Sequence, residues 1–232
     1  MLDALGLPVE PISIELPGHG DAEDWDRSRD YSDQALEIAL DRLPREPVPL
    51  IGHSYGAVLA LRIAIERPGR VSSLVMIEPP FFAALRGSYS FDKIQRDMSP
   101  FAQKMADGQA ASATKHFVEL WGDGTRWNDI EERARRGFIN QIDLILASNV
   151  FLWDDPAGLL SPERLEGLEI PVTLVEGIGS HSVMPKIVDA IGRRIPDAEG
   201  ITVPDAMHMV AVTHPASVAE AIRDRLVWEA GG

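Results

Sequence analysis

The residue with the clearest chemical potential is Ser54, which lies between two glycines in Gly52-His53-Ser54-Tyr55-Gly56. A serine hydroxyl becomes an effective nucleophile when a neighbouring base accepts its proton. The apolar residues 48–51 before this motif predict a strand, and the helical spacing of apolar residues over 56–67 predicts a helix after it. A serine on a sharp strand-to-helix turn is strained and exposed, and a Cβ on either flank is expected to crowd the turn. We therefore predict that Ser54 is a nucleophile and that both glycines are needed.

The same turn predicts a binding site for negative charge. The N-terminus of a helix directs backbone N–H groups toward charge that develops during a reaction. We expect the Tyr55 N–H to donate to such an oxyanion. His53, beside the nucleophile, and His19, in an earlier turn, are further candidates for substrate contact, although the position of His53 more often packs inward.

The elements that must position these residues follow an alternating strand and helix pattern, which predicts an α/β fold with a mostly parallel sheet and flanking helices. Strands are predicted at residues 9–16, 48–51, 73–77, 170–175 and 200–203, and helices at 31–43, 56–67, 185–195 and 215–228.

Residues 81–165 interrupt this pattern, because they contain helical segments and no convincing strand. We predict a single domain with a core formed by 1–80 and 166–232 and a helical cap formed by 81–165. Five aromatic residues near or in this insertion are expected either to line an apolar pocket or to belong to the core: Phe81, Phe82, Trp121, Phe138 and Trp153.

Composition limits the classes of function. The 232 residues include no cysteine, which excludes disulfides, cysteine-ligated zinc and a thiol nucleophile. A formal net charge of −14 argues against nucleic acid and anionic membranes as partners. We expect a cytoplasmic protein that acts on a small molecule without a metal or other cofactor, and the sequence leaves its oligomeric state open.

Several segments occur in the order of landmarks in a known family. They are Leu16-Pro17-Gly18-His19-Gly20, the Ser54 motif, residues 74–79, and His208 followed by His214-Pro215. With these segments the chain resembles the α/β-hydrolase fold family over nearly its whole length except the insertion. The resemblance implies a serine hydrolase that cleaves a small carboxylic ester or related acyl compound through an acyl-enzyme. Carbon–carbon bond hydrolysis, perhydrolysis and a non-catalytic ligand-binding role are the alternatives within this fold.

The resemblance also implies the partners of Ser54. The family's catalytic histidine follows the last strand, which is where His208 lies. The acid usually follows the penultimate strand, but residues 177–182 contain no carboxylate. We favour Glu78, because it ends the strand after the nucleophile's strand and active-site groups gather at the carboxyl ends of parallel strands. Glu176 is the alternative.

One expected part of the family pattern has no counterpart in the chain. The resemblance implies strands before the His19 turn and a His-Gly loop that supplies a second oxyanion amide. Here a short helical segment at 2–5 precedes that turn, and His19-Gly20 is the sole His-Gly pair. We expect either a fragment of a longer protein, which we favour, or a shortened variant. Loss of one oxyanion donor would cost about 2.7–4 kcal/mol of transition-state stabilisation, so we expect weakened activity.

Overall fold

A parallel sheet forms the centre of the computed structural model, which describes residues 1–6 and 10–226. The strands in these residues are β1 (Val48–His53), β2 (Val71–Ile77), β3 (Val172–Gly177) and β4 (Ala198–Val203). They lie in the order β1-β2-β3-β4, and every neighbouring pair is parallel. This parallel sheet confirms the predicted α/β fold class. The strands are parallel because a helix between two sequential strands returns the chain to the same end of the sheet.

Helices connect and cover the strands. In the described residues the α-helices are α1 (Leu2–Leu5), α2 (Tyr31–Arg42), α3 (Tyr55–Glu66), α4 (Tyr89–Ala106), α5 (Ala110–Trp121), α6 (Glu132–Gln141), α7 (Asp143–Asp154), α8 (Met184–Gly192), α9 (Val210–Thr213) and α10 (Pro215–Ile222). Short 3₁₀ turns occupy Pro68–Arg70, Phe82–Leu85, Trp127–Asp129 and Arg223–Arg225. Residues 81–165, between β2 and β3, contain α4 to α7 and no strand.

The sheet is apolar on both faces, as expected for parallel strands covered by helices. Successive strand residues point to opposite faces, so Leu74 and Met76 of β2 join one buried cluster while Val75 and Ile77 join another. Helices α3 and α8 belong to the first cluster, and α1 and α10 belong to the second. The sheet is therefore held between two helical layers, with its carboxyl edge left for the loops.

Helix α2 shows how local sequence sets an element boundary. The Asp30 side chain accepts hydrogen bonds from the backbone N–H groups of Ser32 and Asp33, which satisfies donors that a helix N-terminus leaves unpaired. Its residue Tyr31 is buried and donates its hydroxyl to the carbonyl of Pro17 at 3.2 Å. This contact holds the 17–20 turn against the rest of the domain.

Helices α4 to α7 share the first buried cluster with the sheet and α3. Ile94, Phe101 and Phe151 of these helices are almost fully buried in that cluster. Helix α7 packs against α2 and α3, and α4 packs against α5 and the Phe82–Leu85 turn. Over residues 1–6 and 10–226, none of the helices combines the length and the apolar character needed to cross a bilayer.

Two predicted elements differ from the structure. Residues 10–16 form no strand, and Val9 lies outside the described residues. Pro11 lacks the N–H that a strand ladder uses, and the Glu15 side chain instead accepts the backbone N–H of Asp21 at 3.0 Å. The last helix ends at Ile222 and continues as a 3₁₀ turn, so the predicted helix over 215–228 is too long within the described part, and its final residues lie outside it.

Candidate active site

The register of the sheet aligns β1, β2 and β3 near its carboxyl edge. His53, Ile77 and Val175 occupy neighbouring positions in β1, β2 and β3. The next backbone N–H groups extend these ladders, because Ser54 donates to the carbonyl of Ile77 at 2.9 Å and Glu78 donates to that of Val175 at 2.8 Å. Ser54 and Glu78 are thus fixed on adjacent strands by backbone pairing. This is the edge where ligands bind in open parallel sheets.

The turn around Ser54 is strained, as the flanking glycines predict. Of these two glycines, only Gly52 lies where a Cβ would collide with other atoms. Ser54 has φ 54° and ψ −126°, which is a costly conformation for a residue with a side chain. A Cβ on Gly52 would lie 2.3 Å from the carbonyl oxygen of Gly56. A Cβ on Gly56 would meet nothing within 4 Å, so the expectation that both glycines prevent crowding is wrong for Gly56.

The hydroxyl of Ser54, the ring of His208 and the carboxylate of Glu78 form a continuous hydrogen-bonded series. His208 Nε2 lies 3.0 Å from Ser54 Oγ, and His208 Nδ1 lies 3.0 Å from Glu78 Oε2. A carboxylate can only accept, so Nδ1 carries the proton and Nε2 is free to accept from the serine hydroxyl. That tautomer is the one in which a histidine can take a proton from serine.

Glu78 is fully buried, and both of its carboxylate oxygens are paired. Its exposed fraction is 0%, and Oε1 accepts the backbone N–H of Gly177 and the hydroxyl of Ser180, each at 2.6 Å. Glu78 also has φ 51°, a left-handed backbone conformation immediately after β2. Burial of a carboxylate is costly unless its oxygens are hydrogen-bonded, and here donors from two loops provide that compensation.

Glu176, the alternative acid, is not brought to His208. Its Oε1 accepts the hydroxyl of Thr202 on β4 at 3.3 Å, and Oε2 is buried without a hydrogen bond. Burial raises the pKa of the Glu176 carboxyl above its ordinary value. Between the two candidate acids, the structure places Glu78 against the histidine.

The other candidate residues divide between the site and the surface. His53 Nε2 lies 2.8 Å from the backbone oxygen of His208. Tyr55 begins α3, so its N–H has no carbonyl within the helix to pair with. Its ring packs away from the series, against Tyr31 and Phe151. His19 is exposed and bonds within its own turn to the carbonyl of Pro17.

Comparison with known sequences decides the family. A sequence model described as the alpha/beta hydrolase family matches residues 1–221. The chain belongs to the alpha/beta hydrolase family. The family resemblance predicted from the sequence motifs is thereby confirmed, and the protein is a hydrolase of this family.

Several known proteins are similar to the chain in sequence. Esterase Rv0045c of Mycobacterium tuberculosis is 27% identical over 94% of this chain and 75% of that protein. Lipase LipV of the same organism is 27% identical over 95% of this chain and 85% of that protein. A pimeloyl-(acyl-carrier protein) methyl ester esterase of Nitrosomonas europaea is 39% identical over 58% of this chain and 50% of that protein.

Solved structures share the fold of this chain. A thermophilic esterase superposes with a TM-score of 0.65 at 20% identity, over 90% of this chain and 77% of the other. An esterase from Exiguobacterium antarcticum superposes with a TM-score of 0.66 at 14% identity, over 90% of this chain and 78% of the other. At these identities the likeness concerns the arrangement of strands and helices.

Aromatic rings from the insertion cover the histidine of this alpha/beta hydrolase. Trp121, the last residue of α5, lies 5.3 Å from the His208 ring and 5.3 Å from the His181 ring, measured between centroids. Phe82 contacts Trp121 and Trp153, so these aromatics form one cluster beside the site. Phe138 is 43% exposed, so it belongs neither to the core nor to the lining of an enclosed apolar pocket.

Two histidines near the site are held in their neutral forms. Burial, followed by the charge of His208, lowers the pKa of His53 to about 4. Burial also lowers the pKa of His181, against a smaller opposing effect of Asp97. The Val183 N–H donates to His181 Nδ1, so the His181 proton lies on Nε2 and is donated to the Asp97 carboxylate at 3.0 Å.

Sequence reasoning missed the roles of residues 177–183. The segment has no carboxylate to mark it as part of the site, but its backbone N–H at Gly177 and its Ser180 hydroxyl bind Glu78, and His181 links it to residues 81–165. The available signal was the polar run Ser180-His181-Ser182 directly after a buried strand. The partners lie about a hundred positions away in the chain, so spacing alone could not identify them.

Proposed function

We propose that this protein hydrolyses small carboxylic esters or related acyl compounds, with Ser54 as nucleophile, His208 as general base and acid, and Glu78 as the acid of the triad. The observation that carries the proposal is the pair of 3.0 Å contacts that joins Ser54 Oγ through the His208 ring to Glu78 Oε2. Nucleophile, base and orienting carboxylate are all within hydrogen-bonding reach, as this chemistry requires.

The proposed reaction follows from the positions of these atoms. Ser54 Oγ attacks the carbonyl carbon while its proton passes to His208 Nε2, and the buried Glu78 carboxylate stabilises the imidazolium. The Tyr55 N–H donates to the oxygen that gains negative charge. His208 then returns the proton to the departing alkoxide, which leaves the acyl group on Ser54. Water attacks this acyl-enzyme by the same proton route and releases the carboxylic acid.

The names of the similar proteins support an ester as the substrate. They are an esterase, a lipase and a methyl ester esterase, and each is named for cleavage of a carboxylic ester bond. A net charge of −14 over the 232 residues supports a small molecule rather than nucleic acid as partner. The absence of cysteine is compatible with the reducing cytoplasm, which we propose as the location.

We further propose that residues 81–165 act as a cap over a core formed by 1–80 and 166–232. The contact of Trp121 with the His208 ring supports this role, because it brings a residue of the insertion against the base. A covering element of this kind excludes water from the site and selects which acyl groups enter.

Hydrolysis of a panel of short p-nitrophenyl esters tests the proposed function. The wild-type protein is expected to hydrolyse at least one of them with saturation kinetics, and Ser54→Ala is expected to reduce the rate to background, because no other atom replaces Oγ as nucleophile. Ser112→Ala, at an exposed serine of α5, is the matched control and should retain wild-type activity. A folded wild-type protein that hydrolyses none of the esters, or an active Ser54→Ala variant, would contradict the proposal.

The choice of acid is tested by a pair of amide substitutions. Glu78→Gln should lower kcat/KM by about 10³- to 10⁴-fold, because an amide no longer stabilises the imidazolium. Glu176→Gln removes a carboxylate from the adjacent strand, has no contact with His208 and should change kcat/KM little. Measurement of kcat/KM for both variants decides the matter, and a larger loss in Glu176→Gln would overturn the assignment of Glu78.

A further inference from the structure

The loop after β3 holds the carboxylate of Glu78 from the side opposite the histidine. Glu78 Oε2 faces His208, whereas Oε1 accepts one hydrogen bond from the last residue of β3 and one from this loop. One comes from the backbone N–H of Gly177 and the other from the hydroxyl of Ser180, both at 2.6 Å. The hydroxyl of Ser180 is the one side-chain donor to Oε1 among the hydrogen bonds of the described residues.

These two donors determine which oxygen is available to the histidine. A carboxylate can rotate so that either oxygen faces a partner, and hydrogen bonds to an ionised acceptor are about twice as strong as neutral ones. Two short bonds to Oε1 oppose such rotation and leave Oε2 directed at His208 Nδ1. They also compensate the desolvation of a group that is fully buried.

The backbone around Ser180 is built to hold its hydroxyl in place. The Ser180 N–H donates to the carbonyl of Gly177 at 3.0 Å, and the Gly179 N–H donates to the carbonyl of Ala206 at 2.8 Å. A Cβ on Gly177 would lie 2.4 Å from the same Ala206 oxygen, so the two loops approach more closely than a side chain there would allow. Ala206 lies two residues before His208. The loop that carries Ser180 is therefore fixed against the loop that carries the histidine.

We propose that Ser180 is a positioning residue for the Glu78 carboxylate. Its hydroxyl holds Oε1, so that Oε2 orients the His208 ring toward Ser54. The inference rests on the proposed function for its effect on catalysis. Residues 177–182 contain no carboxylate, and the Ser180 hydroxyl of this loop holds a carboxylate from the neighbouring strand.

The effect should be visible in the protonation of the His208–Glu78 pair. Without the hydroxyl, the carboxylate loses a donor that stabilises its charge, so the pair takes up a proton at a higher pH. Titratable groups near Glu78 include His53 on β1, which is neutral at neutral pH, and Glu176 on β3, and His181 follows Ser180 and hydrogen-bonds Asp97. In the described residues, the hydroxyl of Ser180 hydrogen-bonds Glu78 rather than any of these groups, and substitution at 180 leaves them in place.

The test compares Ser180→Ala with Ser182→Ala, a matched substitution at an exposed serine of the same loop. For an ester that the wild-type protein hydrolyses, Ser180→Ala should lower kcat by about 10- to 100-fold with little change in KM, as expected for loss of a hydrogen bond to a charged group. The acidic limb of the pH profile should move to higher pH. Ser180→Thr, which keeps the hydroxyl, should restore both properties, and Ser182→Ala should resemble the wild type.

A second measurement does not depend on activity. In the wild type, the proton NMR resonance of His208 Nδ1–H should report a strong hydrogen bond, and its pH midpoint should rise in Ser180→Ala but not in Ser182→Ala. If Ser180→Ala does not fold, Ser180→Cys replaces it, since a thiol has similar shape and donates weakly, with Ser182→Cys as control. A shifted resonance in a protein that hydrolyses no ester would support the positioning role and refute the proposed function. Equal behaviour of the 180 and 182 variants in kcat, pH profile and resonance would overturn the inference.

Discussion

At the scale of single residues, His53 shows how the site's histidine loop is anchored. Its Nε2–H donates to the backbone oxygen of His208 at 2.8 Å, so a side chain next to the proposed nucleophile fixes the backbone of the proposed base. The ring centroids of the two histidines lie 5.1 Å apart. Burial of the ring is the larger cause that lowers the pKa of His53 to about 4, and a positive charge on His208 at this distance adds to the effect. His53 therefore acts as a neutral hydrogen-bond donor.

This lowered pKa predicts a pH dependence of stability. An unfolded histidine titrates near pH 6.5, so between pH 6.5 and about 4 the unfolded state binds more protons than the folded state. The free energy of unfolding should therefore fall as the pH drops through that window, by up to about 3 kcal/mol for this group. His53→Gln keeps an N–H donor but cannot titrate, and it should flatten the dependence.

Urea unfolding at a series of pH values from neutral to acidic measures the effect. His19→Gln, at an exposed histidine that bonds only within its own turn, is the control and should retain the wild-type slope. If His53→Gln and His19→Gln lose stability with pH as steeply as each other, the attribution to His53 is wrong.

At the scale of elements, the turn between β1 and α3 concentrates the strain of the site. Ser54 lies at positive φ because the chain must leave the strand and enter the helix within one residue. Its strain is held by the hydrogen bond to Ile77 on one side and by burial of α3 on the other. The turn also brings Gly52 close to the start of α3, which makes the two glycines unequal.

The two glycines give a matched pair of substitutions. Gly52→Ala should destabilise the protein by about 1–3 kcal/mol or more, because its Cβ would meet backbone atoms that cannot move aside without distorting the turn. Gly56→Ala adds a methyl group in open space to a helical residue and should leave stability unchanged or raise it by up to about 1 kcal/mol. Thermal and urea unfolding of both variants checks this, and equal destabilisation would contradict the steric argument.

At the scale of the whole molecule, one polar contact links residues 81–165 to the loop that hydrogen-bonds Glu78. His181 lies in the loop after β3 and donates to Asp97 of α4, which also pairs with Lys93 at 2.5 Å. The backbone oxygen of Asp97 accepts from His116 of α5, so the same residue ties together two helices of the insertion. Trp121 packs between His181 and His208 beside this contact.

Removal of that contact should loosen the insertion without unfolding the sheet. Asp97→Ala should lower the free energy of opening that protects α4 amides from hydrogen exchange by about 1 kcal/mol. A fully buried contact would contribute more, but solvent screens the partly exposed Asp97 carboxylate. Asp107→Ala is the control, since that side chain, at the residue after α4, accepts a hydrogen bond from Gln103 of α4 and has no side-chain hydrogen bond outside this helix end among the described residues. Identical exchange of α4 in the two variants would show that the His181–Asp97 contact does not hold the insertion.

Much of the fold was predictable because parallel sheets leave a strong signal in sequence. Apolar runs at β2 and β3 and helical spacing in α3 report burial directly, and their bounds agree with the predictions to within a few residues. Residues 10–16 were predicted wrongly because alternation of apolar and polar residues says nothing about whether a neighbouring strand is present. Pairing is a property of the tertiary structure, and the segment has none.

The residues of the site were predictable to the extent that they lie at element ends. Ser54, Glu78 and His208 each follow a strand, and the parallel register brings such positions together. The steric role assigned to Gly56 failed because it depends on the direction of a missing Cβ, which the sequence does not specify. The hydroxyl of Ser180 was overlooked because its partner is known only once β2 and β3 are adjacent.

Covalent labelling tests the proposal that Ser54 is a nucleophile activated by His208. A fluorophosphonate probe followed by peptide mass spectrometry should place the adduct on Ser54, and Ser54→Ala should abolish labelling while Ser112→Ala labels like the wild type. We expect this result because Ser54 Oγ lies 3.0 Å from the unprotonated Nε2 of His208. An adduct on a different residue, or no adduct on the folded wild-type protein, would contradict it.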